Sequence, residues 1–229
     1  YRINLATKQL EGSVEVGYQP EGIAVYNGKL YVANSGGIAS QLPPTYSYDN
    51  TVSIIDAATF TVSQTVQVQV NLKNVYADGK GHIFVTTLGN YFDVHSGLYV
   101  FPADAPDQVT HVTRDFLKHT HVSCSFALGD EVYCIGTENE FAFNEKHVYT
   151  LWSYNAVKNK LSLYPVDLGG VPYGMAVLED SIGLRTLLLG DAGDYFNPGT
   201  VTCYRLYDLQ DKVWSVTAGV CPGHFAVWK

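Results

Sequence analysis

The chain has 229 residues, 46% of them hydrophobic, 13% aromatic and only 16% charged. That is enough apolar material for one large domain or two small ones, and it excludes intrinsic disorder. With 14 Lys and Arg against 22 Asp and Glu, the formal net charge is −8, which excludes a basic footprint for nucleic acid; no apolar run reaches the roughly 20 residues of a membrane-spanning helix, so no transmembrane segment is expected.

In chain order, Tyr1–Leu5 and Gln9–Val16 read as two short strands. Gly22–Tyr26 and Lys29–Asn34 follow, joined by Asn27-Gly28. That dipeptide supplies the two positive φ angles of a type I′ hairpin turn. Thr51–Asp56 and a strand from Thr61 to Val68 complete a group of four. A second group is Lys73–Ala77, His82–Thr86, Gly97–Phe101 and Gln108–Thr113. A third is Ser123–Leu128, Glu131–Gly136, Val148–Tyr154 and Lys160–Pro165, with Gly129-Asp130 repeating the two-residue turn. A fourth is Tyr173–Leu178, Arg185–Gly190, Gly199–Leu206 and Lys212–Thr217, and Gly223–Trp228 reads as one more strand. Aromatic and β-branched residues at period two dominate, and no stretch sustains helical spacing, so the expected class is all-β.

Self-comparison explains the grouping. Pro20-Glu21-Gly22-Ile23-Ala24-Val25 returns as Pro172-Tyr173-Gly174-Met175-Ala176-Val177 and as Pro222-Gly223-His224-Phe225-Ala226-Val227. Weaker copies are Lys73-Asn74-Val75-Tyr76-Ala77 and Cys124-Ser125-Phe126-Ala127-Leu128. A period of about 50 residues with four short strands per unit predicts a β-propeller. The expected organisation is a single domain over 1–229: a partial blade at 1–17, blades at about 18–69, 70–119, 120–169 and 170–219, and a partial blade at 220–229. The two partial blades could combine to close a ring of about five blades. The preferred expectation is a fragment of a larger ring, about seven-bladed, whose signal or lipid anchor lies outside it.

The run from Pro20 to Gly37, with Asn50-Thr51-Val52-Ser53-Ile54-Ile55-Asp56 and Ala77-Asp78-Gly79-Lys80-Gly81-His82-Ile83-Phe84-Val85-Thr86-Thr87-Leu88-Gly89-Asn90-Tyr91, resembles YncE-like and NHL-like propellers, and most closely the YncE-like surface lipoproteins of Bacteroidetes. The resemblance covers the whole chain as repeats and is specific from Tyr18 to Phe101. It implies an exported cell-surface or periplasmic protein. Some members capture cobalamin beside an outer-membrane transporter, and that transporter is the partner the resemblance implies.

In such a fold the loops between the second and third strands and between units open on one face. Here they are long and aromatic: Tyr46 and Tyr48; Tyr91, Phe92 and His95; Phe141, Phe143 and His147; Tyr195 and Phe196. The unit-joining loops add Tyr18, Glu21, Asn71, His119, His121, Tyr173 and His224. The expected ligand-binding set is Tyr18, Tyr46, Tyr48, Tyr91, Phe92, His95, His121, Phe141, Tyr173, Tyr195, Phe196 and His224, facing a small ring-containing molecule such as a cobalamin or a glycan. A structural reading competes for the aromatics, which recur beside Asx residues and could pack on the adjacent blade while Asx turns cap the third strand.

Catalytic and metal readings are weaker. Glu21 matches one ligand of metal-dependent lactonase propellers, but its counterparts Lys73, Cys124, Tyr173 and Gly223 are not hard oxygen donors. His119 and His121 share a strand face at i, i+2 and could pair on a metal, although exposed loop histidines are the plainer expectation. Asp191 and Asp194 offer too few ligands for calcium and read as a loop turn. No catalytic residue, cofactor or metal is assigned. The four cysteines form no zinc spacing. In the third hairpin Cys134 faces Ser125 rather than Cys124, so small buried thiols are expected at Cys124, Cys134, Cys203 and Cys221.

Overall fold

The computed structural model describes residues 1–39, 45–113, 121–137, 140 and 146–226, with the backbone alone for Ile38, Ala39, Thr45 and Tyr46. Its strands are β1 (Arg2–Ile3), β2 (Leu10–Gly12), β3 (Pro20–Tyr26), β4 (Lys29–Asn34), β5 (Gly36–Ala39), β6 (Thr45–Tyr48), β7 (Thr51–Asp56), β8 (Thr61–Gln67), β9 (Leu72–Ala77) and β10 (His82–Thr87). They continue with β11 (Gly97–Pro102), β12 (Thr110–His111), β13 (Cys124–Leu128), β14 (Glu131–Thr137), β15 (Tyr149–Asn155), β16 (Lys160–Tyr164), β17 (Pro172–Glu179), β18 (Arg185–Asp191), β19 (Thr200–Arg205) and β20 (Asp208–Thr217). Four antiparallel sheets of four strands result, ordered β3-β4-β7-β8, β9-β10-β11-β12, β13-β14-β15-β16 and β17-β18-β19-β20. No helix occurs among the described residues.

Local chemistry sets the turns. Tyr26 pairs with Lys29 across Asn27 (φ 45°) and Gly28 (φ 71°), a type I′ turn. Leu128 pairs with Glu131 across an equally short loop, but there only Gly129 (φ 58°) takes a positive angle. That is the type II′ pattern, so the two hairpins share a length and differ in turn type. Ser125 does pair with Cys134, and all four cysteines are free. Burial pushes the Cys124 thiol up to about 12 and holds the Cys134 thiol well above its ordinary value. Cys221 departs from the expectation: it is half-buried rather than buried, because its backbone turns at φ 52° beside the Tyr195 carbonyl.

The chain forms two compact units. Tyr1–Val94 with Leu98–His111 holds the first two sheets, and a core of Tyr31, Ile54, Leu72, Ile83, Val85 and Phe101 fills the space between them. The β1–β2 pair clips onto this unit, with the Arg2 guanidinium 4.7 Å over the Phe60 ring. His95–Gly97 with Val112–Lys229 holds the other two sheets around Tyr133, Ile135, Leu151, Met175, Leu187 and Leu189. Inner strands run close together within each unit: a Cβ on Gly22 of β3 would lie 2.8 Å from Asn74 of β9. The sheets of the second unit are also tied by charge. Arg185 of β18 donates to Glu131 of β14 (2.8 Å), to Tyr133 Oη (2.5 Å) and to Glu179 of β17 (2.6 Å).

Three elements differ from the sequence expectation. The loop expected to carry Tyr46 and Tyr48 is a hairpin of its own, β5–β6, which Gly36 (φ 81°) starts by turning the chain back against Tyr48. The outer strand of the second sheet shrinks to Thr110–His111. Gly223–Ala226 is not a strand: β3 and β17 each ladder to a second strand, and no described strand pairs with this segment. Gly223 still packs backbone to backbone against Gly174 of β17.

Carboxylates that fasten turns give the fold an acid limit. For Asp78, burial opposes ionisation, but hydrogen bonds from the Lys80 amide and from the His82 side chain and amide outweigh it and lower the pKa. Asp56 is lowered chiefly by the Thr59 amide and Asp194 by the Asn197 amide. A depressed folded-state pKa contributes stability that is present above the unfolded value of about 3.9 and lost as pH falls through the folded value. The melting temperature is therefore expected to hold down to about pH 4.5 and to fall steeply below it. Asp78→Asn should flatten that fall, as thermal melts from pH 6 to pH 2 would show.

Candidate functional site

Two of the long loops are the same device. Gly89-Asn90-Tyr91-Phe92-Asp93 joins β10 to β11, and Gly193-Asp194-Tyr195-Phe196-Asn197 joins β18 to β19. Asn90 Oδ1 accepts from the amides of Phe92, Asp93 and Val94 at 2.8–3.0 Å. Asp194 Oδ1 accepts from Phe196 (3.0 Å) and Asn197 (2.8 Å). Each loop is latched by a 2.6 Å side-chain bond, from Asn90 to Asp93 in one and from Asn197 to Asp194 in the other. These Asx turns are made by the leading Asn90 and Asp194 inside each loop, and the phenylalanine side chains stand in solvent: Phe92 is 80% and Phe196 86% exposed. Tyr91 (φ 60°) and Tyr195 (φ 67°) both take the left-handed conformation, which costs a non-glycine residue about 1–2 kcal/mol.

The second unit gathers more of the predicted set. Tyr173 meets Tyr195 edge to face, with ring centroids 6.1 Å apart, and half-exposed Tyr149 lies beside them. Burial raises the Tyr149 hydroxyl, and the neighbouring Tyr195, Cys124 and Asp191 raise it further. His224 is exposed. In the first unit Tyr18 is exposed, with its amide on Asp49, and Tyr48 is half-buried. Tyr46 lies on β6, with only its backbone described; His119, Phe141, Phe143 and Asn144 fall outside the described residues.

His121 is a different kind of residue from the exposed loop histidine expected. It is 4% exposed, and Nδ1 donates to the Thr137 carbonyl at 2.6 Å. That bond leaves Nε2 as the lone-pair nitrogen, buried and without a hydrogen-bond partner. The His95 ring stacks on it at 4.8 Å and 5°. Glu140 closes the group, with Oε2 3.0 Å from His95 Nδ1 and 3.8 Å from His121 Nε2, while both its oxygens accept from the Ser96 amide at 3.1 Å. Among the described residues this is the one group of three metal-ligating side chains with all ligand atoms within 4.8 Å. Sequence reasoning found both histidines and missed Glu140, which sits in a loop with no periodic signal.

Other candidates have structural duties. Glu21 pairs with Lys73 at 3.1 Å. Asp191 accepts from the amides of Val171 and Gly193, which is the loop-turn reading. A cleft of about 500 Å³ opens in the first unit, at the short-turn end of its sheets, lined by Tyr26, Lys29, Tyr31, Lys80 and His82 among others. None of the predicted binding residues lines it.

No protein-family model matches the chain, and no curated protein does. Solved structures do. The chain is similar to the hydrazine synthase of Kuenenia stuttgartiensis, with a TM-score of 0.59 at 14% identity over 89% of this chain and 56% of that one. It is similar to the WD40 domain of Neurospora crassa Pan2, at 0.50 and 10% over 89% and 53%, and to Saccharomyces cerevisiae Sqt1, at 0.50 and 7% over 88% and 50%. The chain spans about half the length of each. At these identities the likeness carries the fold: the chain is a β-propeller built from four-stranded antiparallel blades.

Proposed function

We propose that this propeller is a non-catalytic, extracytoplasmic binding protein that captures a small ring-containing ligand on its aromatic loops. The observation that carries the reading is the placement of Tyr195 and Phe196. A bulky aromatic is kept in a left-handed backbone position that glycine would fill without strain, and the next side chain is held almost wholly in solvent by an Asx turn. Such a loop is preorganised, so stacking a ring on it costs little ordering entropy. The resemblance to YncE-like surface propellers supports a cobalamin-like ligand as the first choice, delivered to an outer-membrane transporter, with a glycan as the second.

Binding of cobalamin, cobinamide and a glycan panel to the full chain tests this. Tyr195→Gly should relieve strain, leaving stability equal or up to about 1 kcal/mol higher, while weakening binding by about 1–3 kcal/mol. Phe196→Ala should weaken binding comparably and change stability by no more than about 0.5 kcal/mol. If both variants bind every probe as the wild type does, the aromatic loops are not the binding surface.

A further inference from the structure

We propose that His95, His121 and Glu140 form a binding site for a divalent first-row transition ion, zinc by its donor set. The argument starts from His121, whose buried Nε2 has no hydrogen-bond partner. A buried nitrogen lone pair left unsatisfied costs free energy unless a donor or a metal ion engages it. Its tautomer is set by Nδ1–H donating to the Thr137 carbonyl, the arrangement by which proteins orient a metal-binding imidazole. Glu140 is likewise oriented, through the Ser96 amide, with Oε2 within 3.8 Å of one nitrogen of each ring. Two imidazoles and one carboxylate are the ligand set of three-ligand zinc sites with an open fourth position, whereas calcium and magnesium need more oxygens.

The spacing fits. Ligand atoms around a tetrahedral zinc lie about 3.3 Å apart, and Glu140 Oε2 is 3.0 Å and 3.8 Å from the two nitrogens. The parallel rings cannot both aim at one ion as they stand, so the His95 ring turns out of the stack when the ion enters; its side chain is 40% exposed and has the room. The His95 Nδ1···Glu140 contact is then replaced by two bonds to the ion.

The test uses the full chain after chelation, titrated with zinc sulfate against a chromophoric chelator and followed by thermal melts. One zinc per chain is expected, with a rise in melting temperature. Glu140→Gln and His95→Ala should each weaken binding at least about tenfold and abolish the rise, and His82→Gln should bind as the wild type does. Should the variants fail to fold, ¹⁵N-histidine NMR of the wild type replaces them: zinc must perturb the ring nitrogens of His95 and His121 among the seven histidines. The proposal is overturned by no binding at about 100 µM zinc, by undiminished binding in Glu140→Gln and His95→Ala, or by perturbation of other histidines instead.

Discussion

Gly136→Ala is expected to destabilise the protein by about 3 kcal/mol or more, one of the largest effects of any single methyl group in the chain. Gly136 lies near the end of β14, and a Cβ placed there would overlap the carbonyl oxygen and carbon of His121. Those are backbone atoms, held by the Trp152 indole, so they cannot swing aside as a flexible side chain would. Gly219→Ala is the control. It meets nothing within 4 Å and should change stability by no more than about 0.5 kcal/mol. Urea denaturation of the two variants beside the wild type decides the matter, and equal midpoints for all three would remove the close approach from the account.

Trp152→Ala should cost about 3–5 kcal/mol. Trp152 is fully buried in β15, between Cys134 and Leu163 in the ladder, and Nε1 donates to the His121 carbonyl at 3.0 Å. Two contributions are lost together, the apolar volume and the hydrogen bond. Trp152→Phe separates them: it keeps most of the packing, strips the carbonyl of this donor, and should cost about 1–3 kcal/mol. A phenylalanine variant as stable as the wild type would show that the bond to His121 contributes nothing. Both substitutions act on the backbone of the histidine that carries the buried Nε2, so the second unit's core and its histidine cluster share one support.

From that shared support, side-chain contacts run on to Tyr149 in the same unit. Thr137, whose carbonyl orients His121, also bonds His147 at 3.4 Å, and the His147 ring packs on Tyr149 at 5.8 Å. Tyr149 in turn neighbours Tyr195.

Much of the fold was legible because short-range chemistry dictates it. Asn27-Gly28 forces a tight hairpin, period-two alternation places strands at Thr51–Asp56 and Glu131–Gly136, and the recurring apolar triplet sets the blade length. The ladder register at Ser125 and Cys134 followed from the turn length alone. The recurrence of aromatics beside Asx residues was readable too, since an Asx side chain finds its own nearby amides without help from the rest of the chain. What only the tertiary structure decided are relations between residues far apart in sequence. Glu140 reaches His95 across 45 positions, a second hairpin occupies what reads as an open loop, and His121 goes inside although its neighbours suggest the surface. Burial and the partnering of a carboxylate depend on which blades meet, and no local pattern encodes that meeting.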